Sequence, residues 1–293
     1  MTIKMTTGDR IFNVLNTIFM CIMCLLTIYP VYYVLVASFT DNLALVQSTG
    51  FLLYPEGFTT GAFQMALRHP LLISGYMNTL FILAVSLPIN ILLTLCCGYF
   101  MASKGMLLRK PIIIFILFTM WFNAGMIPIF LNIQSLGLLN SLWSLILPSA
   151  MSVFNAIICK TAIEALPASL TESAYIDGAN DLTVAFRIVA PLIMPTIAVL
   201  LLFYGVAHWN AWFWATIFIR DNALLPVQNL LRAVLIEAEG LLQQAVAEGD
   251  QDTMYAETIK YAAIVITTVP VLLIYPFLQR YFVKGVMIGS VKG

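Results

Sequence analysis

The residues of this chain best equipped to bind a metal or attack a carbonyl are two histidines, His69 and His208, and five cysteines, Cys21, Cys24, Cys96, Cys97 and Cys159. Their spacing argues against both chemistries. A structural zinc site takes four ligands, usually as two close pairs, and the CxxC formed by Cys21 and Cys24 has no second pair. All five cysteines fall within apolar runs, where a thiol behaves as a small hydrophobe. No phosphate loop of the form GxxxxGK followed by Ser or Thr occurs anywhere. What remains is binding chemistry. The stretch FYGVAHWNAWFWATIF, residues 203–218, gathers Tyr204, His208, Trp209 and Asn210, and WFN at 121–123 adds Trp121 and Asn123. Aromatic faces stack on flat C–H surfaces and amides bond to hydroxyls, so both stretches could hold a polyhydroxylated ligand. The plainer reading is that Trp and Tyr concentrate where helices meet the membrane interface. Asn155 reads as a helix–helix hydrogen bond rather than a ligand.

The elements that carry these residues follow from composition. The 293 residues are 61% hydrophobic and 10% charged, whereas soluble domains run at about 25% charged. The chain is read as an all-α membrane protein. A helix needs about 20 apolar residues to cross the hydrocarbon core, and six stretches qualify: 11–39, 76–102, 111–131, 141–160, 194–219 and 259–279. None shows the period-two alternation of a transmembrane barrel. The first has no small-residue cleavage site, so it reads as a retained helix.

Basic residues set the orientation. With the N-terminus inside, one face carries Lys4, Arg10, Lys104, Arg109, Lys110, Lys160, Arg187, Arg280, Lys284 and Lys292. The other carries Arg68, Arg220, Arg232 and Lys260. Both termini are therefore expected in the cytoplasm, with 161–195 a cytoplasmic segment, 220–258 an acidic external loop and 280–293 a cytoplasmic tail. Residues 50–67 are expected to form an external turn and a short surface helix. Within the spans His208 is the one ionisable exception, although ion-coupled carriers usually keep charged partners there. A stand-alone secondary carrier or channel is the alternative reading. An uphill mover built this way takes its energy from another chain.

The cytoplasmic segment is where that chain would act. ESAYIDGANDLTVAFRIVAPLIMP, residues 172–195, reads as helix, glycine turn, helix. Pro167 suits a first turn, and Leu170, Ala174 and Gly178, with Tyr175 beside them, share one face. Asp177-Gly178 is a stop signal. Asn180 or Asp181 caps a second helix whose Leu182, Phe186 and Val189 recur at helical spacing. Pro191 is expected to end that helix and Pro195 to open the fifth span. A pair this short is marginal alone and needs something to pack against. Its acidic balance favours a protein partner over anionic lipid.

Glu172, Ala174, Asp177, Gly178, Ala179, Phe186, Ile188, Pro191 and Pro195 resemble the EAA signature of ABC importer permeases, with Ser173 departing where Ala is usual. The resemblance extends over nearly the whole chain. GYFMASKG (98–105) is similar to the end of the second span in carbohydrate-importing permeases. FNAGMIPIFLNIQSLGLLNSLWSLILP (122–148) and YFVKGVMIGSVKG (281–293) are similar to the maltose-type group, in its branch for complex oligosaccharides such as alginate or pectin fragments.

The resemblance implies a type I importer permease, or MetI-like, fold in the bacterial inner membrane. It implies a non-catalytic half-transporter with no cofactor of its own and no metal site. ATP and magnesium would be held by two partner ATPase subunits. A homologous second permease would complete the path, an extracytoplasmic sugar-binding protein would deliver an oligosaccharide, and no nucleic acid would be involved. Glu172, Ala174, Asp177, Gly178, Ala179, Phe186 and Pro191 would couple to the ATPase. Lys284, Gly289 and Lys292 of the tail would touch it, along a path that the glycines at 285, 289 and 293 would leave extended.

Overall fold

The computed structural model describes residues 6–48, 50–103, 108–122, 124–248 and 255–290. In chain order they form α1 (Thr7–Ser38), α2 (Asn42–Gln47), α3 (Gly61–Leu67), α4 (Leu72–Ala102), α5 (Arg109–Trp121), α6 (Met126–Ser135), α7 (Trp143–Ile146), α8 (Val153–Glu164) and α9 (Ala168–Ile176). There follow α10 (Asp181–Thr183), a π-helical stretch (Val184–Val189), α11 (Ala190–Leu192), α12 (Met194–Trp209), α13 (Phe213–Phe218), a 3₁₀ turn (Asn222–Leu224), α14 (Val227–Glu248) and α15 (Tyr255–Ser290). Among the described residues there is no strand. Asn123 and Lys292 lie outside them, as do Lys104 and the loop centre at 249–254.

By length and composition α1 and α4 can each cross a membrane alone. Three bent pairs, α5 with α6, α8 with α9, and the run 181–192 with α12, bring the number to as many as five. Three of the expected spans, 111–131, 141–160 and 194–219, contain breaks that were not expected. Gly125 adopts φ 87° ahead of α6. Pro148 falls between α7 and α8, and Asn210 caps α12 before α13 begins. Irregular backbone at membrane depth survives only where protein satisfies its polar groups, so each break must be held by side chains from elsewhere. The expected extended tail is also different. Helix α15 continues through Gly285 and Gly289 to Ser290, because glycine weakens a helix by only about 1 kcal/mol.

The chain divides into two compact units. One comprises residues 1–69 with 231–268. In it α1 starts with a capping box, in which Thr6 accepts from the Asp9 amide and Asp9 from the Thr6 amide. Nearly all of α1 is exposed, only Val36, Ala37 and Ser38 being buried. Val36, Ala37, Leu45 and Leu52 form a small core beside Tyr33 and Tyr261. The Tyr32 hydroxyl donates to the Leu53 carbonyl, and Tyr29 stacks on Phe51 at 5.0 Å.

The other unit, residues 70–230 with 269–293, is built around α4. Leu95 and Tyr99 of α4, Cys159 and Ile163 of α8, Ala174 of α9, Val184, Ala185 and Val189 of the π stretch, and Ile197 and Leu200 of α12 share one apolar core. Helices α4 and α8 meet at Gly98. A Cβ there would stand 2.8 Å from the Cβ and Sγ of Cys159 and 3.1 Å from the Lys160 amide nitrogen. Gly98→Val is therefore expected to lower stability by about 3 kcal/mol, the upper end of overpacking, read as a fall in melting temperature in detergent. Gly98→Ala should be milder. Adding Cys159→Gly should restore part of the loss but not all, because the Lys160 backbone remains close. Equal melting of Gly98→Val and the unaltered protein would rule out this close approach.

Candidate functional site

A line of small polar residues on α4 organises the site. Thr79, Ser86, Asn90, Thr94 and Gly98 recur seven, four, four and four residues apart, which keeps them on one helix face, and all five are buried. All of these polar groups except Ser86 act where another element breaks or begins. The Thr79 hydroxyl accepts from the Val227 amide at 3.0 Å, and the Asn78 amide donates to the Ala223 carbonyl at 2.7 Å. The Asn90 amide nitrogen donates to the Ser149 and Ala150 carbonyls at 2.7 and 2.9 Å, the orphaned backbone between α7 and α8. Asn90 Oδ1 stands 3.0 Å from His208 Nε2, so that nitrogen carries the imidazole proton. Thr94 shares a 2.7 Å hydrogen bond with Tyr204, whose hydroxyl also accepts from the Ser152 amide at 2.9 Å. The Ser86 hydroxyl is buried without a partner.

Beside this line opens a cavity of about 930 Å³, bordered by Phe154, Asn155, Tyr204, His208 and Trp214 together with serines of the α7–α8 break. Among the described residues, its lining carries neither Lys, Arg, Asp nor Glu. It is apolar and aromatic with a few hydroxyls and amides, the mixture with which a pocket holds and orients a polar ligand. Of the sequence-predicted path residues, Tyr204 and His208 line it. Trp209 is buried elsewhere, its ring 6.2 Å from that of Tyr76. Asn210 is exposed and bonds back to the Val206 carbonyl. Trp121 is 84% exposed at the end of α5 and lines no part of the cavity. Asn155, read as a helix contact, also borders the cavity. Asn90 and Thr94 escaped the sequence reading, although their four-residue spacing within an apolar run was the available signal.

The segment after α8 forms a turn with defined chemistry. Helix α9 closes in a Schellman motif, with the Ala179 amide bonded to the Ala174 carbonyl at 3.0 Å and the Gly178 amide to Tyr175 at 3.1 Å. Gly178 takes φ 81°, as that motif requires. Asn180 is the cap: its side chain accepts from the Thr183 amide at 2.8 Å. The face expected from helical spacing is not the one that packs. Ala174, expected to couple to the ATPase, is instead buried in the core of this unit with Val184, Ala185 and Val189, because α9 packs its small face inward. Leu182, Phe186 and Ile176 point out, Ile176 at 86% exposure. The π stretch advances by more than 3.6 residues per turn and rotates the inward face. Pro191 sits in α11, and the run 181–192 ends one residue beyond it; the wider turn before it relieves the clash and the missing amide that proline brings. Glu172, Asp177, Gly178 and Pro191 are exposed, and Ala179 is half-buried.

Residues 4–288 match the family model described as the binding-protein-dependent transport system inner membrane component. The chain belongs to this family. It is 38% identical over 285 residues to the polygalacturonan/rhamnogalacturonan transport system permease YtcP of Bacillus subtilis, covering 97% of this chain and 99% of that one. It is 39% identical over 295 residues to LplC of the same organism, covering 100% and 98%. Its backbone matches a chain of a bacterial ABC transporter involved in the import of the acidic polysaccharide alginate. That match has a TM-score of 0.85 at 30% identity and covers 96% of this chain and 100% of that one. The protein is thus a membrane permease subunit of a binding-protein-dependent ABC importer, and the ATPase is a separate partner chain.

Proposed function

We propose that this subunit carries an oligosaccharide, of the acidic plant or algal polysaccharide kind, through the inner membrane by alternating access. The cavity beside α4 is its share of the path. The observation that carries the reading is the pairing of that cavity with an exposed, rigid turn on the same packed unit. Phe154, Tyr204 and Trp214 offer ring faces to sugars, and Asn155 offers hydrogen bonds. The names of the polygalacturonan and alginate importers support the cargo class.

The chain crosses the membrane six times with both termini in the cytoplasm, α15 supplying the last crossing. A homologous permease completes the path, two ATPase subunits holding ATP and magnesium dock on Glu172, Asp177, Gly178, Ala179, Phe186 and Pro191, and an external sugar-binding protein delivers cargo. Ile176, Leu182 and Phe186 are the apolar contacts of the docking turn, with Glu172 and Asp177 at its charged rim. In the tail, Lys284 and Gly289 approach the ATPase pair, and so does Lys292. Trp209, Asn210 and Trp121 are reassigned to packing, capping and the interface.

The test is purification of the tagged protein from its native membranes in mild detergent, with mass spectrometry of what accompanies it. A second permease and an ATPase with a phosphate loop are expected; recovery of the chain alone would overturn the reading. Leu182→Asp should lower ATPase recovery about tenfold while leaving the amount in the membrane unchanged, since a charge on a docked apolar anchor costs at least about 1.4 kcal/mol.

A further inference from the structure

The docking turn hangs from two bent joints. Helices α8 and α9 meet at 79°, and the run 181–192 meets α12 at 87°. A push on the turn that travelled only along the backbone would be absorbed at these bends. The apolar core beneath them is adhesive but non-directional. One connection has fixed length. The Tyr175 hydroxyl, in α9, donates to Asp181 Oδ1 at 2.6 Å and shares a 2.7 Å hydrogen bond with the hydroxyl of Tyr99. Tyr99 lies near the end of α4, one turn beyond Thr94 and two to three beyond Asn90, the residues that hold Tyr204 and His208 against the cavity.

We propose that Tyr175 is a positioning residue for transport. With Asp181 and Tyr99 it forms a tie-rod that fixes the docking turn to α4, so that displacement of the turn shifts α4 and, through Thr94 and Asn90, the cavity wall. The tie spans both helices of the turn, because Asp181 opens the second helix while Tyr175 belongs to the first. It therefore also holds the turn as one body. This role rests on the docking of an ATPase at the turn proposed above.

The experiment uses the complex co-purified through this subunit and placed in lipid nanodiscs. A cysteine at Met151, which borders the cavity, is introduced with the five native cysteines replaced by alanine. Its labelling by a membrane-impermeant maleimide is compared without nucleotide and after vanadate trapping. Tyr175→Phe, which removes both bonds, is expected to shrink the trapping-dependent change in labelling about threefold to tenfold, within the range of measured network couplings. ATPase recovery and vanadate trapping should stay at their normal levels.

Asp181→Ala should behave like Tyr175→Phe, and Asp181→Asn, which keeps the acceptor oxygen, should return to normal. Tyr99→Phe and Asp181→Ala break the same series connection, so the pair should be no worse than either alone. An unchanged labelling ratio in Tyr175→Phe would overturn the tie-rod. Loss of the ATPase from that variant would make Tyr175 a docking residue instead. Absence of an ATPase from the unaltered complex would overturn the docking reading itself, and that outcome is visible before any variant is made. A trapped complex whose labelling at 151 never changes would take the cavity off the moving path and remove the proposal with it.

Discussion

Gly178→Pro is expected to leave the protein in the membrane at normal levels and to abolish its partnership with the ATPase. Gly178 holds φ 81° at the position where the Schellman motif ends α9. Proline is locked near −65°, and it removes the amide that bonds the Tyr175 carbonyl. The combined cost is about 3 kcal/mol, roughly a hundredfold fall in the population of the native turn. A Cβ placed at Gly178 meets nothing within 4 Å, so side-chain bulk is not the cause. That separates backbone from packing. Gly178→Ala should cost about 1–2 kcal/mol for its left-handed backbone, and Gly178→Asn less, because asparagine visits that region readily. The order Asn, Ala, Pro in falling ATPase recovery is the readout. If Gly178→Pro still brought the ATPase down at normal yield, the turn would not be the docking element.

That turn was legible in the sequence because its signals are local. Asp177-Gly178, Asn180 and the prolines act within four residues of themselves, and the EAA resemblance rests on fixed spacing. The direction in which it packs was not legible. Helical periodicity grouped Leu182, Phe186 and Val189 on one face, but a π stretch from Val184 to Val189 rotates the face by a register that no 3.6-residue template contains, and only Val189 of the three is buried. The breaks at Gly125, Pro148 and Asn210 lay hidden inside apolar runs, since hydropathy averages over the single residues that interrupt a helix. Tyr204 and His208 could be singled out as polar groups at depth. Their partners Thr94 and Asn90 lie 110 and 118 positions away, and a lone sequence offers no way to pair residues at that distance. The site is therefore half visible from residue type, and its geometry belongs to the tertiary fold.

Asn90 tests that geometry. One side chain makes three hydrogen bonds: two donated to the Ser149 and Ala150 carbonyls, and one accepted from His208. Asn90→Leu keeps the volume and deletes all three. The carbonyls lie between α7 and α8, where no helical amide reaches them, and lipid cannot donate. Each buried orphan costs about 1–3 kcal/mol, whereas hydrogen bonds within membrane proteins average nearer 0.6 kcal/mol when the alternative state finds other partners. Here the backbone break cannot rearrange without unpacking Tyr204 from Ser152, so the larger figure governs. We expect a loss of about 3 kcal/mol, a drop of about 8 °C in melting temperature in detergent. Adding His208→Leu should recover part of it, because the second change removes one of the three orphans. The two carbonyls would remain, so recovery should stop well short of complete. If Asn90→Leu melted with the unaltered protein, the helix break would have to be held by something other than α4, and the cavity wall would not depend on it.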